Sequence, residues 1–182
     1  MIEIRDVRIE DAEAIVAILN PIIAARCYTA LDTPVTVDEE REFIRNFPAR
    51  GIFLVAVDTA SNRIVGFQDV SPFADYTHAF DHVGVIGTYV ALDRHRQGIA
   101  AKLFQATFEA ARRKGYDKIF SYVRADNEAG LKTYLRQGFR IVGKAERQAK
   151  IDGRYIDEVI IERSIDPPTV TMGRSCCGGT GS

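Results

Sequence analysis

The chain has 182 residues, 46% of them hydrophobic and 27% charged, with a formal net charge of −1. That length and balance fit one globular domain with a sizeable core, and a charge near zero gives no footing for nucleic acid or an anionic membrane as the main partner. No apolar run reaches membrane-spanning length, the first six residues lack a signal peptide's basic start and apolar core, and three cysteines make no disulfide framework, so a cytoplasmic protein is expected.

Ile2, Ile4 and Val7 alternate with polar residues and predict a first strand. A helix is expected from Asp11, because Ala14, Ile15, Ile18, Leu19, Ile22 and Ile23 keep a 3.6-residue period. Pro21 should kink or break it. Cys27 has no His or Cys at metal-binding or catalytic spacing and reads as a packed thiol. Thr36 with Glu39 three residues on reads as a capping box, and the helix it opens carries Phe43, Ile44 and Phe47 and stops at Pro48. Residues 52–57 and 64–70 flank a turn-rich stretch and predict a hairpin.

Residues 83–91 are apolar and β-branched, the pattern of a buried strand. Residues 93–97 turn the chain. Gly98 opens an amphipathic helix with Ile99, Leu103, Ala106 and Ala110 at helical spacing, and Arg112, Arg113 and Lys114 suit its negative pole before Gly115 stops it. A strand, a Gly-containing turn and a helix make an anion cradle: the first backbone N–H groups of the helix lack intrahelical partners, and the dipole's positive pole adds to their pull. The loop is neither a Walker A loop nor a Gly-x-Gly-x-x-Gly fingerprint.

Residues 117–123 read as a further strand, followed by a turn at Ala125-Asp126-Asn127 and a shorter helix carrying Ala129, Leu131, Tyr134 and Leu135. Residues 139–149 and 155–165 are strand-like, with Asp152-Gly153 as a two-residue hairpin signal between them. The order βααββ–β–α–β–α–ββ predicts an α/β (α+β) fold with a mixed sheet and a parallel pair at the central crossover. Pro167-Pro168 ends the pattern. Residues 166–182, which include Cys176-Cys177, are expected to be a disordered tail, leaving one domain over residues 1–165.

The run His95-Arg96-Gln97-Gly98-Ile99-Ala100 resembles the pyrophosphate loop, Gln/Arg-x-x-Gly-x-Gly/Ala, of the GNAT superfamily of acyl-CoA N-acyltransferases, at all but its first position. Asn127, Gly130, Tyr134, Gly138 and Phe139 match a second pattern of that superfamily, and the N-terminal half loosely resembles the phosphinothricin-acetyltransferase-like subgroup. The resemblance implies a twisted, mostly antiparallel sheet flanked by helices, with acetyl-CoA as acyl donor. It implies transfer of the acetyl group, by direct attack, to a primary amine of a small molecule, an amino acid or an antimetabolite-like compound. It also implies a homodimer, as many relatives form, and calls for no metal.

Residue by residue, the resemblance puts the N–H groups of Gln97, Gly98, Ile99 and Ala100 on the pyrophosphate, with charge from Arg96 and Lys102, and His95 where Gln or Arg is usual. It puts the backbone of Thr88, Tyr89 and Val90 on pantetheine, with the Val90 N–H polarising the thioester carbonyl. Asn127 and Tyr134 flank the cofactor, and the Tyr134 hydroxyl protonates the leaving thiolate. The subgroup's Glu on the central strand falls at Val85, so the usual base is missing. His82, His78, Asp75 and Asp81 near the strand's entrance, and Glu158 on the last strand, are the candidate substitutes, directly or through water. Three other readings stand beside the main one: a non-catalytic acyl-CoA-binding module, a protein N-terminal acetyltransferase, and a nucleotide-phosphate enzyme such as a small kinase.

Overall fold

Seven strands and four α-helices account for most of residues 1–165, the part of the chain that the computed structural model describes. In chain order they are β1 (Ile2–Asp6), α1 (Ala12–Ala24), α2 (Val37–Arg45), β2 (Ile52–Asp58), β3 (Arg63–Pro72), β4 (Val83–Val90), α3 (Ile99–Arg113), β5 (Lys118–Arg124), α4 (Glu128–Arg136), β6 (Arg140–Ile151) and β7 (Arg154–Ser164). The expected tail over residues 166–182, with Cys176 and Cys177, lies outside the described residues.

The strands form one sheet in the order β1-β2-β3-β4-β5-β7-β6. Every neighbouring pair is antiparallel except β4 and β5, which α3 connects as a parallel crossover. The α/β (α+β) architecture and the mixed, mostly antiparallel sheet are as the sequence predicts. Each face of the sheet carries helices. On one, Leu103, Phe104 and Phe108 of α3 pack over Leu54, Ile86, Ile119 and Ile161. On the other, Ile15, Leu19 and Ile22 of α1 pack over Phe53, Val55 and Phe67. Burying each such side chain contributes roughly 1.5–3 kcal/mol before entropy is charged against it.

Several local expectations are met by identifiable contacts. Thr36 Oγ1 accepts from the Glu39 N–H at 3.2 Å while Glu39 Oε2 accepts from the Thr36 N–H at 2.8 Å, the reciprocal pair of a capping box. Asp152 and Gly153 both have positive φ, at 48° and 79°, as a tight hairpin turn with right-twisted strands requires.

Others are corrected. α1 runs through Pro21 for three more residues. Proline removes one donor, but Ile22 and Ile23 are buried in the core and hold the last turn in helix. α2 ends at Arg45, short of Pro48, where the Asn46 N–H closes on Glu42 O at 3.0 Å. Cys27 is exposed rather than packed, since it follows the left-handed Arg26 (φ 58°) in the loop after α1.

Candidate active site

The site begins with a fork in the sheet. β4 and β5 pair only over Val83–Val85 and Lys118–Phe120, and beyond that point the strands part. Ser121 Oγ donates to Ile86 O at 2.8 Å and bridges the apex. The ladder between β3 and β4 decides what the free edge of β4 offers. Phe73 N–H donates to Val83 O and Ala91 N–H to Val65 O, so the odd-numbered residues of β4 exchange their backbone bonds with β3. Even-numbered residues turn their N–H and C=O toward β5 instead. Past the apex, the N–H groups of Thr88 and Val90 therefore point away from β3 with no strand among the described residues to receive them, and Thr88 lines the cleft that opens there.

The cleft holds about 310 Å³ and passes through the sheet. On the α3 and α4 side it is closed by Tyr134, on the α1 side by Tyr28 to Leu31, with Glu158 of β7 at its outer edge. The Tyr134 hydroxyl donates to Thr88 Oγ1 at 3.0 Å, and Gln68 Nε2 reaches the same oxygen at 2.7 Å. The Tyr134 ring packs edge-on against Phe104 and Phe139, which places Gly138-Phe139 behind it as the motif requires. Burial pushes the Tyr134 phenol up to about 12, against the opposing hydrogen bonds of Thr88 and Ser121. It is protonated throughout the neutral range and can give a proton.

Tyr89 also lines the cleft, from the α1 side. Its backbone bonds go to Phe67 in β3, and its ring stacks on Phe67 with centroids 4.8 Å apart. Asn127 caps α4, accepting from the Gly130 N–H at 2.9 Å, and its Nδ2 donates to Tyr28 O at 3.0 Å. A Cβ at Gly130 would sit 2.5 Å from Asn127 Nδ2, which gives the Asn-x-x-Gly spacing a steric cause. The same asparagine thus ties the turn before α4 to the loop that lines the cleft.

At the end of β4 the chain turns through Leu92 to Arg94 and enters α3. Arg94 anchors this turn to Asp58 at 2.6 Å, a contact sequence reasoning missed because the two lie 36 positions apart. Gly98 is the N-cap at φ 76°, with nothing within 4 Å of where a Cβ would stand. Among the described residues no side chain caps α3, and no acidic residue occupies its first turn, so the N–H groups of Ile99 and Ala100 open outward beside Gln97. This open cradle, together with the unpaired Thr88 and Val90 amides, fits a diphosphate carrying an extended amide-rich arm.

The side chains around the cradle are placed differently. His95 Nε2 lies 3.1 Å from Val90 O, and its ring meets Tyr28 edge-on. Lys102 Nζ reaches Ile2 O at 3.4 Å, while Arg96 is exposed at φ 62°. Of the five substitutes for the missing base, only Glu158 lines the cleft. Asp81 instead pairs with Arg50 and with the exposed His78 at 3.1 Å, before β4 begins. His82 and Asp75 are exposed in the same region. A larger, open depression of about 710 Å³ lies along α1 and β3, but it holds none of the predicted site residues, and Arg5 and Asp11 within it bind each other.

Comparison with known proteins finds similar sequences and a similar fold. The sequence profile of the Acetyltransferase (GNAT) family matches residues 22–139. The L-methionine sulfoximine/L-methionine sulfone acetyltransferase of Pseudomonas aeruginosa is 25% identical over 167 residues, covering 90% of this chain and 95% of that one. The phosphinothricin N-acetyltransferase of Streptomyces coelicolor is 27% identical over 159 residues, covering 86% and 92%. The crystal structure of a phosphinothricin acetyltransferase from Sinorhizobium meliloti in complex with AcCoA shares the fold, with a TM-score of 0.84 at 17% identity, covering 96% of this chain and 94% of that one.

Proposed function

The chain belongs to the acetyltransferase (GNAT) family, and from that premise we propose that it transfers the acetyl group of acetyl-CoA to a primary amine of a small, amino-acid-like molecule. The amine attacks the thioester directly, with no acyl-enzyme: among the described residues no Cys lines the cleft, and Ser121, which does, donates its hydroxyl to Ile86 O. The observation that carries this reading is the fork, with the Tyr134 hydroxyl 3.0 Å from Thr88 Oγ1 and unpaired amides on the same strand.

In this reading Gln97, Gly98, Ile99 and Ala100 hold the pyrophosphate through backbone N–H groups, and Arg96 and Lys102 add positive charge. Thr88 and Val90 steady the pantetheine arm. The Val90 N–H points at the thioester oxygen and stabilises it as negative charge develops. Tyr134 then gives its phenolic proton to the sulfur as the C–S bond breaks, and recovers one, through water, from the newly acylated nitrogen. The acceptor enters from the α1 side, between Tyr28–Leu31 and Glu158. The His95 ring lies at the start of the loop before α3, with its Nε2 3.1 Å from the Val90 carbonyl oxygen. A homodimer and a cytoplasmic setting complete the proposal, with β6 as the edge strand that exposes Ile141 and Val142.

The test is a thiol-release assay with acetyl-CoA against a panel of amino acids, amines and peptides. Phosphinothricin and methionine sulfoximine come first because the relatives are named for them. Release that depends on one acceptor class supports the assignment. Tight CoA binding with no transfer to any acceptor would instead favour a binding module, a second reading that Val85 in the usual base position keeps in view.

A further inference from the structure

The missing base of the central strand leaves a gap in the reaction, because an acceptor ammonium must lose a proton before it can attack. Val85 pairs with Ser71, and two residues nearer the fork Gly87 pairs with Asp69 of β3. These four residues share the α1 and α2 face of the sheet. Gly87 lines the cleft, and a Cβ there would stand 2.8 Å from Asp69 Oδ1. The glycine therefore makes room for the Asp69 carboxylate against the strand that walls the cleft, one residue back from the lining itself.

We propose that Asp69 is the general base of this enzyme, displaced from β4 to the neighbouring strand β3. It rests on the acetyltransferase reading above. Gly87 stands three residues before Val90, about 10 Å along the strand, so the proton travels through bridging water. The carboxylate takes one proton from the acceptor's –NH3⁺, leaving the lone pair of –NH2 to form the C–N bond. Asp69 carries that proton as –COOH and releases it to solvent after the amide and the thiol have left.

Among the described residues Asp69 has no ion pair, and its one hydrogen-bonding partner is its own backbone N–H. The titratable groups that feel its charge are Glu40 of α2, the Tyr89 hydroxyl of β4 and the Tyr134 phenol of α4; its partner on β2 is Phe53. Burial, and then the like charge of Glu40, push Asp69 up to about 7, and burial pushes Glu40 up to about 6. A base near neutrality is half deprotonated at working pH and still holds its proton well.

The experiment compares kcat/KM for the best acceptor, from pH 5 to 9, in wild type, Asp69→Asn, Glu40→Gln and Glu158→Gln, with calorimetric CoA binding as the check on folding. The acceptor's own ionisation is common to all four, so differences between variants are what is read. Asp69→Asn is expected to lose about 100-fold at neutral pH and to keep CoA affinity. Glu40→Gln is expected to remain active with the acid limb moved to lower pH, since a like charge is gone. Glu158→Gln is expected to leave that limb in place. An active Asp69→Asn with the wild-type limb overturns the assignment, as does a limb unmoved in Glu40→Gln or abolished in Glu158→Gln. Should Asp69→Asn fail to fold, the Glu40→Gln and Glu158→Gln limbs decide alone. A wild type that binds CoA yet acetylates nothing sinks the enzymatic reading itself, and this inference with it.

Discussion

The Tyr134 ring and the Tyr134 hydroxyl answer to different parts of the molecule. The ring is core, edge-on to Phe104 and Phe139, and the hydroxyl is at the fork. Tyr134→Phe separates the two. It should keep the packing and give up one hydrogen bond, costing about 1 kcal/mol of stability. Turnover in the thiol-release assay should fall about 100-fold while the calorimetric Kd for CoA stays within about threefold; unchanged turnover would remove the phenol from the mechanism. Gly98 is governed by a different constraint. Its φ of 76° disfavours any side chain, and the space beside it is open. Gly98→Ala should cost about 1 kcal/mol of stability, whereas Gly98→Glu should in addition weaken CoA binding at least tenfold, because a carboxylate would stand where the diphosphate rests. Equal CoA affinity in the two variants would move the phosphate site elsewhere.

At the level of elements, α1 and its entry depend on Asp11. Arg5 grips this carboxylate with two hydrogen bonds, at 2.7 and 2.8 Å, and the Arg8 N–H adds a third at 2.7 Å. Burial alone would raise Asp11, but these bonds and the arginine charges outweigh it and hold the group below the usual carboxylate range. A depressed carboxyl contributes stability above its unfolded pKa and loses it as pH falls through the folded one. Asp11→Asn should therefore melt earlier than wild type at pH 7, and the gap should close below about pH 4; a gap independent of pH would mean that lost packing, not charge, is responsible. The helix itself was legible because its period is local, as was the Thr36 cap. The run through Pro21 was not, since what holds the last turn is the burial of Ile22 and Ile23 against strands far along the chain.

Across the whole molecule, order along the chain was readable and order across the sheet was not. Local hydrophobic period gives the eleven elements in sequence, but no local signal inserts β7 between β5 and β6 or unzips β4 from β5 after Val85. The Tyr134 and Gly98 motifs were visible as spacing. Asp69 was not, because its surroundings come from elements far apart in the chain, Glu40 from α2 and Gly87 and Tyr89 from β4. That arrangement has a thermodynamic signature. A carboxyl raised in the folded state binds its proton more tightly there than in the unfolded chain, so its contribution is complete below the unfolded pKa, near 4, and is lost as pH rises through the folded value. For Asp69 that window closes at about 7 and for Glu40 at about 6. Asp69→Asn cannot ionise and escapes its share of the loss. Relative to wild type its Tm should climb from pH 4 to pH 7 and then level off, at about 2–4 °C for each kcal/mol recovered in a chain of this size. Calorimetric melts across that range read the difference directly. A variant that gains stability exactly where it loses turnover marks a carboxylate kept at the fork's edge against the interest of the fold; a Tm difference that stays flat with pH would leave Asp69 an ordinary strand residue.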